Sequence, residues 1–138
     1  MAMFRRDQVK AAFNRAGRLE RHNDIEGAAW ELYRGAGESR DPEVRITLAL
    51  QSSEKAEAVA REAIFLLKTN RGAEIHEMYD SVATQLRCFR LAAEAAELAG
   101  DVGRAMEMRK SLAGVPSFDP VGNGVASRVS DAKAQLRR

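Results

Sequence analysis

Asn23-Asp24-Ile25-Glu26-Gly27-Ala28-Ala29 and Gly100-Asp101-Val102-Gly103-Arg104-Ala105-Met106 repeat one pattern 77 residues apart. In each, a residue that tolerates a tight turn precedes an aspartate. The aspartate can accept hydrogen bonds from the free N–H groups of a new helix. Small alanines follow, where two helices must approach closely. Each stretch also follows an amphipathic run. Val9, Ala12, Phe13, Ala16 and Leu19 precede the first. Ile75, Met78, Val82, Leu86, Phe89, Ala93 and Ala96 precede the second. Steps of three and four place each set on one helix face. The pattern predicts antiparallel helical hairpins.

Outward from these turns, helix signals continue. Ile25, Ala28, Ala29, Leu32 and Ala36 form a second stripe, whose last turn Gly35 and Gly37 weaken. Asp41-Pro42 is a restart, because aspartate caps and proline suits the first helical position. Residues 42–69 read as one long helix or two short ones, with Ser52-Ser53 the favoured break because serine prefers caps. Val44, Ile46, Leu48 and Leu50 alternate and also allow a strand; the long run that follows favours helix. Asn70-Arg71-Gly72 is a turn, and a further break at Asp80-Ser81 is allowed. Val102, Ala105, Met106 and Leu112 mark another helix, which Gly114 and Pro116 stop. Residues 114–124 hold three glycines and two prolines and read as a loop. Val125, Val129, Ala132 and Leu136 predict a last amphipathic helix. The expectation is an all-α fold of stacked antiparallel hairpins with six to seven helices. Residues 1–116 form the helical domain, and 117–138 form a loop and C-terminal tail.

Composition agrees. Of 138 residues, 45% are hydrophobic and 30% charged, enough for a core. No apolar run approaches the roughly 18 residues of a membrane span. A single cysteine, Cys88, excludes an intramolecular disulfide, and two histidines leave little for zinc chemistry. The net charge of +2 hides an asymmetry. Residues 1–22 hold six basic and two acidic groups, residues 125–138 four and one, and the middle is mildly acidic. Basic ends of this kind can meet nucleic acid, acidic protein or anionic lipid. No secretory pattern occurs in residues 1–22. The Arg-rich start is similar to a mitochondrial targeting helix, but its apolar positions continue into the fold. An intracellular setting, mitochondrial or cytoplasmic, is expected.

The paired turns resemble the second half of tetratricopeptide repeats, and equally of pentatricopeptide repeats. There a small and an acidic residue join helix A to helix B, and an alanine packs at the crossing. Ala28 and Ala105 match that alanine, and Ala16 and Ala93 match the small position of helix A. The resemblance implies about three repeats in a short superhelix, with helix A of each lining a concave surface. Lys10, Phe13 and Arg21 would line it from the first repeat, and Arg87, Arg90 and Glu94 from the last. Such a groove would bind an extended peptide or helix, its arginines pairing with carboxylates. Small proteins of this type occur as accessory subunits of some mitochondrial ATP synthases and ribosomes. Separately, Leu32-Tyr33-Arg34 spells the signature of the LYR family of small mitochondrial assembly proteins, although here it falls in the second helix.

Chemistry-bearing motifs are sparse. The chain has no GxxxxGK[ST] loop, no GxGxxG after a strand, no GxSxG elbow and no HExxH helix. His76 and Asp80 form an i, i+4 pair beside Glu77 with no third metal ligand evident. Cys88 lies beside an apolar face and reads as buried and inert. Trp30 and Tyr33 read as core contacts, with Trp30 an interface anchor if exposed. The expectation is therefore a non-enzymatic protein-interaction module without cofactor or metal. It would serve as an accessory or adaptor subunit of a larger complex, such as an ATP synthase. RNA binding or ribosome association through the basic termini is the alternative, with LYR-type respiratory assembly less favoured.

Overall fold

The aspartate signals set the helix boundaries. The structure, a computed structural model, describes residues 2–116, with side chains from Val9 onward. It contains α1 (Ala2–Arg21), α2 (Ile25–Glu38), α3 (Pro42–Thr69), α4 (Ile75–Leu98) and α5 (Val102–Ala113). Asp24, Asp41 and Asp101 each accept hydrogen bonds from the N–H groups of the helix they precede. The two paired turns are geometrically alike. Asn23 (φ 63°) and Gly100 (φ 78°) both take left-handed backbone. In both turns the aspartate N–H closes back onto a carbonyl five residues earlier, Leu19 in one and Ala96 in the other.

Among the described residues there are five helices and no strand, where six or seven helices were expected. The predicted helix over 125–136 and all of the loop before it but residues 114–116 lie outside the described residues. The rest of the difference lies in α3 and α4, which run unbroken through Ser52-Ser53 and Asp80-Ser81. Ser52 and Ser53 are fully buried, and each finds an acceptor on a different neighbouring helix. Ser52 Oγ donates to the Ala29 carbonyl of α2, and Ser53 Oγ donates to the Ala92 carbonyl of α4, both at 2.7 Å. Hydroxyls that would otherwise cap a helix are used as cross-braces, so α3 has no reason to stop there.

Two apolar clusters share α3. Its N-terminal half gives Leu48 and Ala49 to a cluster with Ala16 of α1 and Ala28, Leu32 and Ala36 of α2. Its C-terminal half gives Ala56 and Ala60 to a cluster with Val82, Phe89, Leu91 and Ala92 of α4 and Met108 of α5. Small residues let the helices approach closely. A Cβ on Gly35 would lie 2.8 Å from the Ala12 Cβ, so α1 meets α2 at a point where only glycine fits.

Consecutive helices pack against one another, and polar bonds skip from each to the next but one. Glu20 of α1 pairs with Lys55 of α3. Glu26 of α2 takes two bonds from Arg87 of α4, at 2.9 and 3.2 Å. Arg104 of α5 reaches Ser53 and Glu57 of α3 at 2.7 and 2.8 Å. Odd helices α1, α3 and α5 thus form one layer, and α2 and α4 form the other.

Candidate functional site

This layering decides where the expected groove residues stand. The paired turns join α1 to α2 and α4 to α5, so a repeat reading makes α1 and α4 equivalent. With one helix between the hairpins instead of two, α4 falls in the opposite layer. Lys10, Phe13 and Arg21 are exposed on α1, in the odd layer. Arg87, Arg90 and Glu94 lie on α4, in the even layer, where Arg87 is held by Glu26 and Arg90 is exposed. The six residues are not gathered on one surface. Ala16, Ala28, Ala93 and Ala105 are all buried at helix contacts.

The remaining singled-out groups are placed as follows. Cys88 is buried, and burial, with Glu26 beside it, pushes its thiol pKa up to about 12. His76 is exposed, 3.7 Å from Glu74, and among the described residues no cluster of three metal-ligating side chains occurs. Leu32 is buried within α2, Tyr33 packs against the α4 cluster and Arg34 is exposed beside Glu31. Trp30 is 43% exposed and meets Tyr33 edge to face at 6.0 Å. No described helix is long and apolar enough to cross a membrane.

The surface that stands out is the end of the α3–α4 hairpin. Here α3 and α4 project past the start of α2. Arg87 marks the edge, because it binds both Glu26 in the first turn of α2 and Thr84 of α4. Beyond Thr84 nothing described covers the trough between the two helices. An open volume of about 590 Å³ remains there, floored by Ala63, Leu66 and Leu67 and flanked by Glu77 and Asp80. Phe65, Leu66 and Ile75 are 63%, 55% and 56% exposed at this end. Local order is kept by Thr69, whose hydroxyl bonds the Phe65 and Leu66 carbonyls, and by Asn70, which donates to Glu77 at 2.9 Å. The start of α4 has no side-chain cap.

The expected groove missed this end. Its signal was in the chain: Ile64-Phe65-Leu66-Leu67 is four consecutive apolar residues, more than one helix face can bury.

Elsewhere the charged groups are tied into the scaffold. Burial would raise the Glu57 carboxyl, but hydrogen bonds from Arg61 and Arg104 outweigh it and hold the pKa below the usual carboxylate value. Arg61 also lies over the Phe89 ring, 5.5 Å from its centroid. Arg15–Glu31 and Arg109–Glu97 link neighbouring helices. Comparison with protein-family models, curated proteins and solved structures gives no match for this chain.

Proposed function

We infer that this protein is a non-enzymatic interaction module, an accessory or adaptor subunit that docks on a larger protein assembly through the α3–α4 end. The observation that carries this reading is the exposure of Phe65, Leu66 and Ile75 together beside an open trough. Large apolar side chains collected at one end cost free energy in water and gain it when a partner covers them. The same end offers Glu77 and Asp80 for a basic counterpart. Phe13 and the half-exposed Trp30 are secondary anchors. A mitochondrial complex such as an ATP synthase is one setting in which a small helical subunit of this kind would serve.

The test is quantitative capture. The tagged full chain should retain one set of partners in near-stoichiometric amounts, and Leu66→Glu with Ile75→Glu should lose them at unchanged helicity. Full retention by that variant overturns the assignment.

A second reading has its own observation. Lys10, Arg18 and Arg21 are exposed on α1 and have no ion-pair partner among the described residues. This face suits RNA or a ribosomal surface. It predicts binding that falls steeply with salt, since each phosphate contact releases counterions. Salt-insensitive association would reject it.

A further inference from the structure

The helix faces that hold α2 do not end where α2 begins. Ser52 of α3 bonds the Ala29 carbonyl of α2, and Arg87 of α4 bonds Glu26. One helical turn at a time, Ala56, Ala63, Leu66 and Asn70 continue the Ser52 side of α3. Thr84, Asp80 and Glu77 continue the Arg87 side of α4 in the same way. These continuations line the trough, from Thr84 at its inner end to the Asn70–Glu77 bond at its outer end. The trough is therefore the seat of α2 carried on for ~10 Å, about two helical turns. Its floor of Ala63, Leu66 and Leu67 is apolar, and its two charged lining residues, Glu77 and Asp80, are both acidic.

The directions of the helices are also fixed. Ser52 stands opposite Ala29, and Leu48 shares a cluster with Leu32 and Ala36, so α2 runs against α3. Ser53 stands opposite Ala92, and Ser81 opposite Ala63, so α4 runs against α3 as well. Hence α2 and α4 run the same way, and the first turn of α2 looks down the trough. That turn carries the positive end of the α2 dipole.

We propose that this seat takes one amphipathic helix of a partner protein, with lysine or arginine beside its apolar stripe, running in the direction of α2. The stripe lies on Ala63, Leu66 and Leu67, and the basic side chains pair with Glu77 and Asp80. In this direction the negative C-terminal end of the partner helix meets the positive start of α2. Its positive N-terminal end lies by Glu77, so both ends favour the same polarity. The proposal rests on the docking function inferred above and names the segment that docks.

The experiment adds a capped synthetic helix of about 15 residues to the isotope-labelled full chain and follows its amide resonances. One peptide carries leucines at helical spacing flanked by lysines. A second has glutamate for each lysine, and a third is the lysine peptide with a central proline. The lysine peptide should shift the Leu66, Asn70, Asp80 and Thr84 amides saturably, and the other two should bind at least about tenfold more weakly. Glu77→Lys with Asp80→Lys should reverse the choice between lysine and glutamate peptides at unchanged helicity. A nitroxide on the peptide N-terminus should broaden Asn70 and Gly72, and one on its C-terminus Ile25 and Glu26.

No saturable shift at about 1 mM lysine peptide overturns the proposal, as does equal binding of the lysine and glutamate peptides. Undiminished binding of the proline peptide overturns it in favour of an extended occupant, and the opposite nitroxide pattern overturns the direction. A parent dimer in sedimentation that Leu66→Glu dissolves overturns it in favour of a second copy. The capture experiment above reads the docking end itself. Partner loss on Leu66→Glu with Ile75→Glu, together with failure of the lysine peptide, keeps that end and rejects the helix.

Discussion

Arg104 Nε donates to Ser53 Oγ across 2.7 Å, joining the last described helix to the middle of the longest one. Ser53 Oγ itself donates a hydrogen bond to the Ala92 carbonyl, so one hydroxyl ties α3, α4 and α5 together. Replacing Ser53 by alanine deletes both bonds and leaves the guanidinium, 20% exposed, with Glu57 alone. A loss of about 1–3 kcal/mol is expected by urea denaturation. Ser53→Ala and Arg104→Ala should also be strongly non-additive in a double-mutant cycle. Additive losses would mean that the bond contributes nothing.

The pH dependence of stability follows from Glu57. Its carboxyl titrates below the usual value in the folded chain because Arg61 and Arg104 bond its charged form. Its stabilisation is therefore complete above the unfolded carboxylate pKa and is lost as pH falls through the folded one. Glu57→Gln should lower stability by about 1–2 kcal/mol at pH 7 and flatten the decline below pH 4.5. Urea midpoints measured from pH 7 to 3 for both proteins give the comparison.

At the alkaline end, Cys88 behaves in the opposite sense. Its thiol is raised from 9.0 to about 12, so the stability gained by burying the neutral form is whole below pH 9 and is lost as pH rises toward about 12. At pH 8 the folded thiol is therefore held in its neutral, unreactive form. Iodoacetamide should leave the native chain untouched over hours and modify it within minutes in urea. Rapid native alkylation would show that the α2–α4 contact opens.

Gly35 and Gly37, two residues apart on α2, should respond in opposite directions to alanine. At Gly37 nothing lies within 4 Å of the new methyl, so Gly37→Ala should stabilise by about 0.5–1 kcal/mol. At Gly35 the methyl would meet Ala12 Cβ at 2.8 Å and press α1 away from α2, costing about 1–3 kcal/mol. Thermal melts of the pair decide the matter; stabilisation at both sites would mean that α1 is not held where described.

The helix boundaries were legible because local chemistry marks them. Asp24, Asp41-Pro42, Asn70-Arg71-Gly72 and Asp101 terminate or start helices through bonds to their own neighbours. Ser52 and Ser53 were not legible. Their caps-and-turns preference is local, whereas the Ala29 and Ala92 carbonyls that accept their hydrogen bonds lie 23 and 39 residues away in the chain. The expected groove joined Phe13 to Arg87 by repeat register, a relation across 74 residues of chain that no local signal fixes. The α3–α4 end was hidden for another reason. Periodicity finds the face a helix buries but does not show where its neighbour stops short, and α2 begins only opposite Arg87.

The uninterrupted span of α3 has a mechanical consequence. Because a single rigid rod holds one apolar cluster at each half, strain at either is felt by the other, and heat should melt the molecule in one step. Placing a proline at Glu54, where the rod passes between the clusters, should split that step into two and turn a stiff strut into a hinge.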